Sequence, residues 1–168
     1  KSQPLVSVIM NCLNCSKNLN DAINSVYNQT YQNWEIIFID NSSTDKSATI
    51  AQGYNNKVKY FRTSKVEKLG KARNIALEKS KGEYIAFLDC DDLWLPTKLE
   101  KQISLFENNK KLGLVFCDTL FFDHSGDKKQ LYGNKKPIKG KVFDELLLNY
   151  FLSMESVVLS RKTLYELD

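Results

Sequence analysis

Short apolar runs alternate with amphipathic segments through the first two thirds of the chain. The run LVSVIMN, residues 5–11, is rich in β-branched residues and apolar on both faces, which is typical of a parallel strand covered on each side. Three further runs have strand-like composition, at residues 35–40, 58–61 and 83–89. The sequence therefore predicts four strands in this part of the chain.

Helices are predicted in the segments that separate these strands. Ser16 can cap the first helix, whose apolar positions recur with helical spacing at Leu19, Ala22, Ile23, Val26 and Tyr27. A short helix closed by Gly53 follows the second strand, and another helix spans residues 71–80. Pro96 suits the first turn of a fourth helix, with an apolar stripe at Leu99, Ile103 and Phe106.

After Gly113 the pattern changes, and a mixed strand order is expected there. Residues 112–122 are predicted as one longer strand, 123–129 as a turn, 141–151 as a helix and 155–160 as a late strand. Strands and helices that alternate through short loops favour parallel sheets with right-handed crossovers. The predicted fold class is α/β, with a mixed, mainly parallel sheet flanked by helices.

Composition narrows the function classes without naming one. At 168 residues, with 42% hydrophobic and 26% charged residues, the chain fits one ordinary globular domain. The net charge is +4, and the densest lysine patch, residues 135–141, is interpreted as a solvated loop because it lacks the interleaved aromatic residues of a nucleic-acid groove. No apolar stretch approaches the ~18 residues of a membrane span, and no signal-peptide pattern begins the sequence. We expect no nucleic-acid partner and no transmembrane segment.

The cysteines suggest chemistry that the rest of the sequence does not support. Cys12 and Cys15 form a C-x-x-C pair, which is compatible with a redox or zinc site. Neither Cys90 nor Cys117 supplies a second pair with ligand spacing, and the sole histidine is His124. Reduced cysteines of a cytosolic protein are therefore expected.

Polar residues collect where the predicted strands end. In open parallel α/β sheets, ligands bind outside the carboxyl ends of the strands. The residues at these ends are Asn11, Cys12, Asn14, Asp40, Asn41, Ser42, Arg62, Asp89, Asp91 and Asp92. The sequence therefore predicts a binding site at this edge of the sheet.

The acidic cluster FLDCDDLW offers oxygen ligands for a hard divalent cation. Asp89 and Asp91 would project to the same side, ~6.5–7 Å apart, if strand geometry persists through them. The alternative is that Asp91 or Asp92 caps the helix near Pro96 and the remaining carboxylates are solvated. We favour the metal site, with Asp92 as a cap or an outer partner.

Two other strand ends offer groups for a nucleotide. Asp40 and Asn41 can read a ribose or a base edge through directed hydrogen bonds, although they also suit a capping turn. Gly70 is predicted at a turn, followed by Lys71 and Arg73 in a first helical turn. A diphosphate would explain these two cations, and an ordinary surface pair is the alternative.

These segments together resemble a known family. The stretches PLVSVIMNCLN, AINSVYNQTYQNWEIIFIDNSSTDKS and LGKARNIALEKSKGEYIAFLDCDDLWLPTKLEKQ resemble the nucleotide-binding half of family 2 glycosyltransferases with the GT-A fold. The resemblance covers residues 4 to about 105 densely, and four motifs occur in the family's order and spacing. The segment from Asn11 to Asn14 departs from the family's usual Pro-x-Tyr-Asn at Asn11 and Leu13.

The resemblance implies metal-dependent, inverting sugar transfer from a nucleotide-sugar, usually a UDP-sugar, to a glycan or lipid-linked acceptor. It implies Mn²⁺ or Mg²⁺ at the D-x-D residues Asp89 and Asp91. It also implies a role in bacterial surface-glycan synthesis, in the cytoplasm or at the inner face of the membrane. The candidate nucleotide-binding residues are Asn11, Asn14, Asp40, Asn41, Gly70, Lys71, Arg73, Asp89 and Cys90.

One part of the family pattern is missing. The family's general base is an acidic residue in a motif after the late strand, and no acid in residues 113–168 lies in such a motif. We therefore expect residues 4–112 to be the nucleotide-binding half, 113–168 to be an incomplete start of the acceptor-side half, and the base to lie beyond Asp168 of a longer transferase.

Three other functions remain open. A sugar nucleotidylyltransferase would carry a glycine-rich phosphate loop directly after the first strand, but the segment NCLNCSKN at that place contains no glycine. A phosphoacceptor receiver domain would need an acidic pair where Asn11 and Cys12 stand. The third alternative is a non-catalytic nucleotide-binding or scaffolding fragment.

Overall fold

The computed structural model describes residues 3–122, 126, 128–133, 135–148 and 151–165. The strands are β1 (Val6–Cys12), β2 (Trp34–Asp40), β3 (Val58–Arg62), β4 (Tyr84–Phe87), β5 (Leu114–Val115), β6 (Leu120–Phe122), β7 (Lys128–Gln130) and β8 (Val158–Ser160). The helices are α1 (Leu19–Tyr27), α2 (Ser47–Gln52), α3 (Leu69–Lys79), α4 (Lys98–Asn108), α5 (Phe143–Leu148) and α6 (Arg161–Tyr165). A 3₁₀ turn spans Met154–Ser156.

The main sheet has six strands in the order β3-β2-β1-β4-β8-β5. The first four strands are parallel, and β8 runs antiparallel to both of its neighbours. Strands β6 and β7 form a separate hairpin. The predicted mixed, mainly parallel sheet is confirmed. Its first three strands end in register, because Cys12 pairs with Asp40 and Asp40 pairs with Arg62.

Alternation along β1 divides the core into two layers. Val8, Met10 and Cys12 join a large cluster on the side of α1 and α4, which we call the α1/α4 face. Ile9 lies on the opposite side, the α3 face. The other buried apolar residues of the cluster on the α3 face are Ile37, Ile39, Ala72, Ala76, Ile85 and Phe87. Since neighbouring residues of a strand point to opposite faces, Asn11 belongs to the α3 face and Cys12 to the α1/α4 face.

Residues 112–122 do not form the single strand that the sequence predicts. The segment splits into β5 and β6, with Asp118 in the interruption. The Oδ1 of Asp118 accepts hydrogen bonds from the backbone N–H groups of Thr119 (2.9 Å) and Tyr132 (3.0 Å). A short polar side chain that binds backbone donors competes with the strand ladder, which explains the break.

Other boundaries also differ from the predictions. Gly53 has φ −72°, so it ends α2 without the left-handed conformation expected of a glycine cap. Gly70 is the second residue of α3 instead of a turn residue, and Pro96 precedes α4 by two residues. Most of the predicted turn at 123–129 lies outside the described residues.

Gly82 lies where the chain enters β4 and packs closely on β1. Its N–H donates to the Oγ of Ser7 at 2.7 Å, and that hydroxyl donates to Glu35 at 2.7 Å. A Cβ on Gly82 would lie 2.4 Å from the backbone nitrogen of Ser7. The hydrogen bond therefore requires a residue without a side chain.

We predict that Gly82→Ala lowers the free energy of unfolding by about 1–3 kcal/mol, because backbone atoms must move apart. The matched control is Gly70→Ala, whose added Cβ meets no atom within 4 Å and sits in a helix. The control should be neutral or stabilising by up to about 1 kcal/mol. Urea denaturation of both variants provides the measurement, and equal midpoints would contradict the close-packing explanation.

Candidate functional site

The loops after β1, β2, β3 and β4 meet at the carboxyl edge of the sheet. The ladder between β1 and β4 extends past the end of β4, since the N–H of Leu88 donates to the carbonyl of Ile9 at 3.0 Å. The loop after β1 is tied to the loop after β2 by the N–H of Asn41, which donates to the carbonyl of Cys12 at 2.7 Å. The structure therefore brings the predicted strand-end residues to one edge.

Asp40 is the most enclosed polar group at this edge, with a fully buried side chain. Its carboxylate accepts hydrogen bonds from the Tyr60 hydroxyl (2.5 Å), the Arg62 guanidinium (2.8 Å) and the Ser43 N–H (2.7 Å). Burial alone would raise the pKa of Asp40, but these donors and the Arg62 cation outweigh it and lower the pKa below its usual value. Asp40 is therefore charged at neutral pH and acts as an internal anchor.

Asn41 binds the segment that leads from β3 to α3. Its Oδ1 accepts from the Glu67 N–H at 2.8 Å and from the Thr63 hydroxyl at 3.2 Å. Its Nδ2 donates to the Glu67 carbonyl at 2.9 Å. The amide side chain fixes the position of the loop that carries the start of α3.

Asn14 plays a similar part between the first two loops. Its backbone is left-handed, with φ 58°, a conformation that asparagine tolerates better than most residues. Its Oδ1 accepts from the Thr44 N–H at 2.8 Å, and its own N–H donates to the Ser43 Oγ at 3.0 Å. Asn14 therefore holds the loop after β1 against the loop after β2.

The residues from the start of α3 separate into two groups. Arg73 reaches the acidic loop, with its Nη2 3.5 Å from the Oδ1 of Asp89 and its guanidinium over the ring of Phe87 at 5.8 Å. Lys71 instead pairs with Glu67 at 3.0 Å and is largely exposed. The structure therefore brings Arg73, and not Lys71, onto an aspartate of the predicted metal pair.

The acidic loop does not continue the strand, which corrects the expected geometry. Strand β4 ends at Phe87, and the N–H of Asp92 donates to the carbonyl of Asp89 at 3.2 Å, which closes a turn over residues 89–92. The extended spacing predicted for Asp89 and Asp91 is therefore wrong. The cap alternative also fails, because α4 begins at Lys98, well beyond Asp92.

Carboxylates crowd this turn. Burial, and after it the charges of Glu155, Asp91 and Asp89, raise the pKa of Asp92 to about 6. Burial also raises the pKa of Asp89, although Arg73 opposes the shift. Carboxylates that repel one another in a partly buried place suit a divalent cation, which would relieve the repulsion. Asp89, Asp91, Asp92 and Glu155 are the carboxylates near this turn that could contribute ligands to such an ion.

Glu155 is a member of this group that the sequence did not single out. It lies in the 3₁₀ turn before β8, and its carboxylate accepts from the hydroxyls of Ser153 and Thr119. The turn is held beside the acidic loop by the indole N–H of Trp94, which donates to the Glu155 carbonyl at 3.0 Å. Glu155 is distant in sequence from the D-x-D motif, so no local spacing could have revealed it.

A cavity of about 510 Å³ opens next to Asp92. Its lining combines apolar side chains, among them Leu93, Trp94, Leu120 and Phe122, with a larger number of polar and charged ones. Lys98 also lines it, with its ammonium 4.1 Å from the centre of the Trp94 ring, and burial lowers the pKa of Lys98 to about 8. The volume falls within the range of small-molecule sites.

Asn11 carries an unmet hydrogen-bonding group at the same edge. Its Oδ1 is buried and, within the described residues, accepts no hydrogen bond. An unpaired buried acceptor costs about 1–3 kcal/mol, so a donor from a bound molecule would be favourable there. Asn11 lies on the α3 face, the face that also carries Arg73.

The cysteines of the first loop are oxidised, contrary to expectation. Cys12 and Cys15 form a disulfide, because the turn through Asn14 brings their Cα atoms to 5.9 Å. Cys90 remains a free thiol that donates to the Asn11 carbonyl at 3.3 Å. Its side chain is buried, and burial raises its pKa to about 12. A bound nucleotide could therefore meet residue 90 only through its backbone.

Comparison with known proteins identifies the family. The model of glycosyl transferase family 2 matches residues 7–167. The chain belongs to glycosyltransferase family 2. Among its relatives is the Escherichia coli UDP-Glc:alpha-D-GlcNAc-diphosphoundecaprenol beta-1,3-glucosyltransferase WfaP, which is 41% identical over 111 residues, 63% of this chain and 43% of WfaP. The chain spans about half the length of the curated relatives it matches.

Solved structures confirm the GT-A fold expected from the resemblance. Staphylococcus aureus TarS 1–349, crystallised with UDP-GlcNAc, matches with a TM-score of 0.80 and 21% identity, over 97% of this chain and 47% of that one. The mannosyltransferase PcManGT of Pyrobaculum calidifontis, in complex with GDP-Man and Mn²⁺, matches with a TM-score of 0.72 and 18% identity, over 99% and 47%. In the described part of this family 2 chain, every helix falls short of the length and apolarity of a membrane span.

We predict that Asp40→Asn destabilises the protein by about 1–3 kcal/mol at neutral pH, since Asn accepts the same donors less strongly. The folded pKa of Asp40 lies below its unfolded value, so the stabilisation is present above about pH 4 and is lost as the pH falls through the folded pKa. The gap between wild type and variant should therefore shrink between about pH 6 and about pH 2.

Urea midpoints at both ends of this pH range provide the measurement. Asp144→Asn, on an exposed residue of α5, is the control and should follow the wild type at each pH. A gap for Asp40→Asn that stays constant with pH would contradict the assigned role.

Proposed function

We propose that this family 2 chain forms the donor site of a transferase that moves a sugar, with inversion, from a nucleotide-sugar to a glycan or lipid-linked acceptor. The observation that carries the proposal is the cluster in which Arg73 meets Asp89, next to Asp91 and Asp92, at the carboxyl edge of the sheet. A cation and several carboxylates within one cluster suit a diphosphate bridged by a divalent metal.

A UDP-sugar is the proposed donor. Arg73 offers planar donors to the diphosphate, and the unpaired Oδ1 of Asn11 offers an acceptor to a base or ribose hydroxyl. Asp40 and Asn41 shape the rim of this site, because their side chains already bind the protein and hold the loops around it. The crystallised TarS complex with UDP-GlcNAc and the UDP-Glc named for WfaP support uridine nucleotides.

Mn²⁺ or Mg²⁺ is the proposed cofactor, held by Asp89 and Asp91. When bound, such an ion neutralises charge that develops on a leaving diphosphate, an effect on the order of several kcal/mol. Arg73 would orient the diphosphate from the other side. Asp92 and Glu155 would add negative charge around the ion. The charge of Glu155 acts on both Asp89 and Asp92, and the charge of Asp89 acts on Asp92.

The acceptor is proposed to approach over the cavity beside Asp92. The apolar part of its lining suits a lipid-linked or sugar-ring surface, its polar part suits sugar hydroxyls, and WfaP is named for a diphosphoundecaprenol acceptor. Exposed apolar residues of β6, Leu120, Phe121 and Phe122, extend this surface and are compatible with work at the cytoplasmic face of a membrane. A role in surface-glycan synthesis follows from this choice of acceptor.

The general base is proposed to lie in a part of the relatives' length that this chain does not span, since the chain covers about half of those proteins. Asp118 is occupied by two backbone N–H groups, and Glu155 is coupled to the acidic loop. Both carboxylates therefore already have partners inside the protein. Residues 1–168 would then bind the donor and transfer sugar slowly when isolated.

We predict that Asp91→Ala weakens Mn²⁺-dependent UDP binding by at least about tenfold, because the exposed carboxylate is the most accessible metal ligand. Isothermal titration of UDP, with and without Mn²⁺, measures the effect. The control is Glu78→Ala, an exposed carboxylate in the last turn of α3, at the far end from Arg73. An Asp91→Ala variant that keeps the wild-type UDP affinity in the presence of Mn²⁺ would contradict the metal assignment.

A thermal-shift screen separates this proposal from the scaffolding alternative. UDP with Mn²⁺ should raise the melting temperature more than GDP or ADP, because ligands that bind the folded state stabilise it. A larger increase in melting temperature with GDP would agree with a transferase function but would change the proposed donor to a GDP-sugar. No shift with any of the three nucleotides would favour a non-catalytic fragment.

A further inference from the structure

Three cysteine sulfurs meet behind the acidic loop. The Sγ atoms of Cys12, Cys15 and Cys90 all lie within 4.8 Å of one another, although Cys90 follows the other two by 75 residues or more. Cys12 and Cys90 are buried in the α1/α4 core, at 2% and 5% exposure, and Cys15 packs against the same cluster. The register of β1 and β4 creates this group, which the C-x-x-C pattern alone does not contain.

The cluster has the composition of a soft-metal site. Two cysteines separated by two residues are a common pair of zinc ligands, and sites with three protein ligands take water in the fourth position. With Zn–S bonds of about 2.3 Å, tetrahedral ligands lie about 3.8 Å apart. The bonded sulfurs of Cys12 and Cys15 must therefore move apart after reduction, whereas Cys90, within 4.8 Å of both, needs only a small rotation.

The neighbouring polar atoms would support such ligands. The Ser43 hydroxyl lies 3.7 Å from the Cys12 sulfur and can donate to it, whereas the Ser47 hydroxyl lies 3.8 Å from the Cys15 sulfur but gives its one proton to Asp45. Ser47 is held in turn by Asp45, which accepts its hydroxyl at 2.6 Å. Hydrogen bonds to coordinating sulfur stabilise the thiolate form.

We propose that Cys12, Cys15 and Cys90 form a redox-gated site for one thiophilic divalent cation of the Zn²⁺ class. A dithiol reductant breaks the Cys12–Cys15 bond with two electrons and two protons and is itself oxidised to a disulfide. The three thiols then release three protons as three metal–sulfur bonds form, and water fills the fourth position. Oxidation of Cys12 and Cys15 by a disulfide oxidant expels the ion.

This site is distinct from the proposed carboxylate site, although the two share a backbone segment. Cys90 lies between Asp89 and Asp91, but its side chain enters the α1/α4 core whereas Asp89 meets Arg73 on the α3 face. Oxygen ligands prefer Mg²⁺ and Mn²⁺, and thiolates prefer Zn²⁺ and similar ions. Because Cys90 lies between Asp89 and Asp91, a metal ion bound to its sulfur would fix the backbone that carries these two carboxylates.

Titration with Co²⁺ tests the proposal. The full chain is reduced with a phosphine, freed of metal, and titrated under anaerobic conditions in excess Mg²⁺, which occupies carboxylates and leaves thiolates available. We expect one equivalent of Co²⁺ to produce a thiolate-to-metal charge-transfer band and tetrahedral d–d bands, both removed by Zn²⁺. Oxidised protein should show neither. Absence of these bands from the reduced wild type would overturn the proposal.

Matched variants identify the ligands. Cys90→Ser should weaken Co²⁺ binding at least about tenfold, whereas Cys117→Ser, which removes the other free cysteine, should leave it unchanged. Equal effects of the two variants would overturn the assignment of Cys90.

X-ray absorption of the Zn²⁺-loaded wild type counts the sulfur ligands directly and needs no variant. It should show three sulfur ligands at about 2.3 Å, and two or fewer would also overturn the proposal.

Discussion

The buried carboxylate of Asp40 is the interaction on which the carboxyl edge of the sheet depends. It ends β2, and it binds Tyr60 and Arg62 from β3 and the N–H of Ser43 from its own loop. Ser43 then holds Asn14 of the first loop. Hydrogen bonds compensate the cost of burying this carboxylate, and they link the ends of β1, β2 and β3 to one another.

The two faces of the sheet carry different chemistry to this edge. The α3 face places Arg73 against Asp89 and leaves the Oδ1 of Asn11 unpaired. The α1/α4 face places three sulfurs together beneath the same loop. Because adjacent residues of an extended strand point to opposite faces, Asp89 and Cys90 serve these two environments from neighbouring positions. The acidic loop is therefore constrained from both sides.

Local patterns predicted the first half of the fold well. The strands and helices from Val6 to Asn108 follow apolar periodicities of two and 3.6 residues, which depend on neighbours in sequence. Family resemblance predicted the GT-A fold. The break at Asp118 was missed because it depends on a hydrogen bond to Tyr132, 14 residues away.

The candidate site was predicted in location but not in detail. Strand ends indicated the edge, but the turn over residues 89–92 replaced the extended geometry, and Glu155 joined the acidic group from a distant element. The disulfide and the proximity of Cys90 depend on the turn at Asn14 and on strand register. Neither property is encoded in the spacing of cysteines alone.

A crystal structure of the chain with UDP and Mn²⁺ tests the central claim most directly. The account predicts an anomalous manganese peak between the diphosphate and the carboxylates of Asp89 and Asp91, with Arg73 turned toward the phosphate oxygens. Manganese at another place, or UDP bound away from the carboxyl ends of β1, β2 and β4, would contradict it.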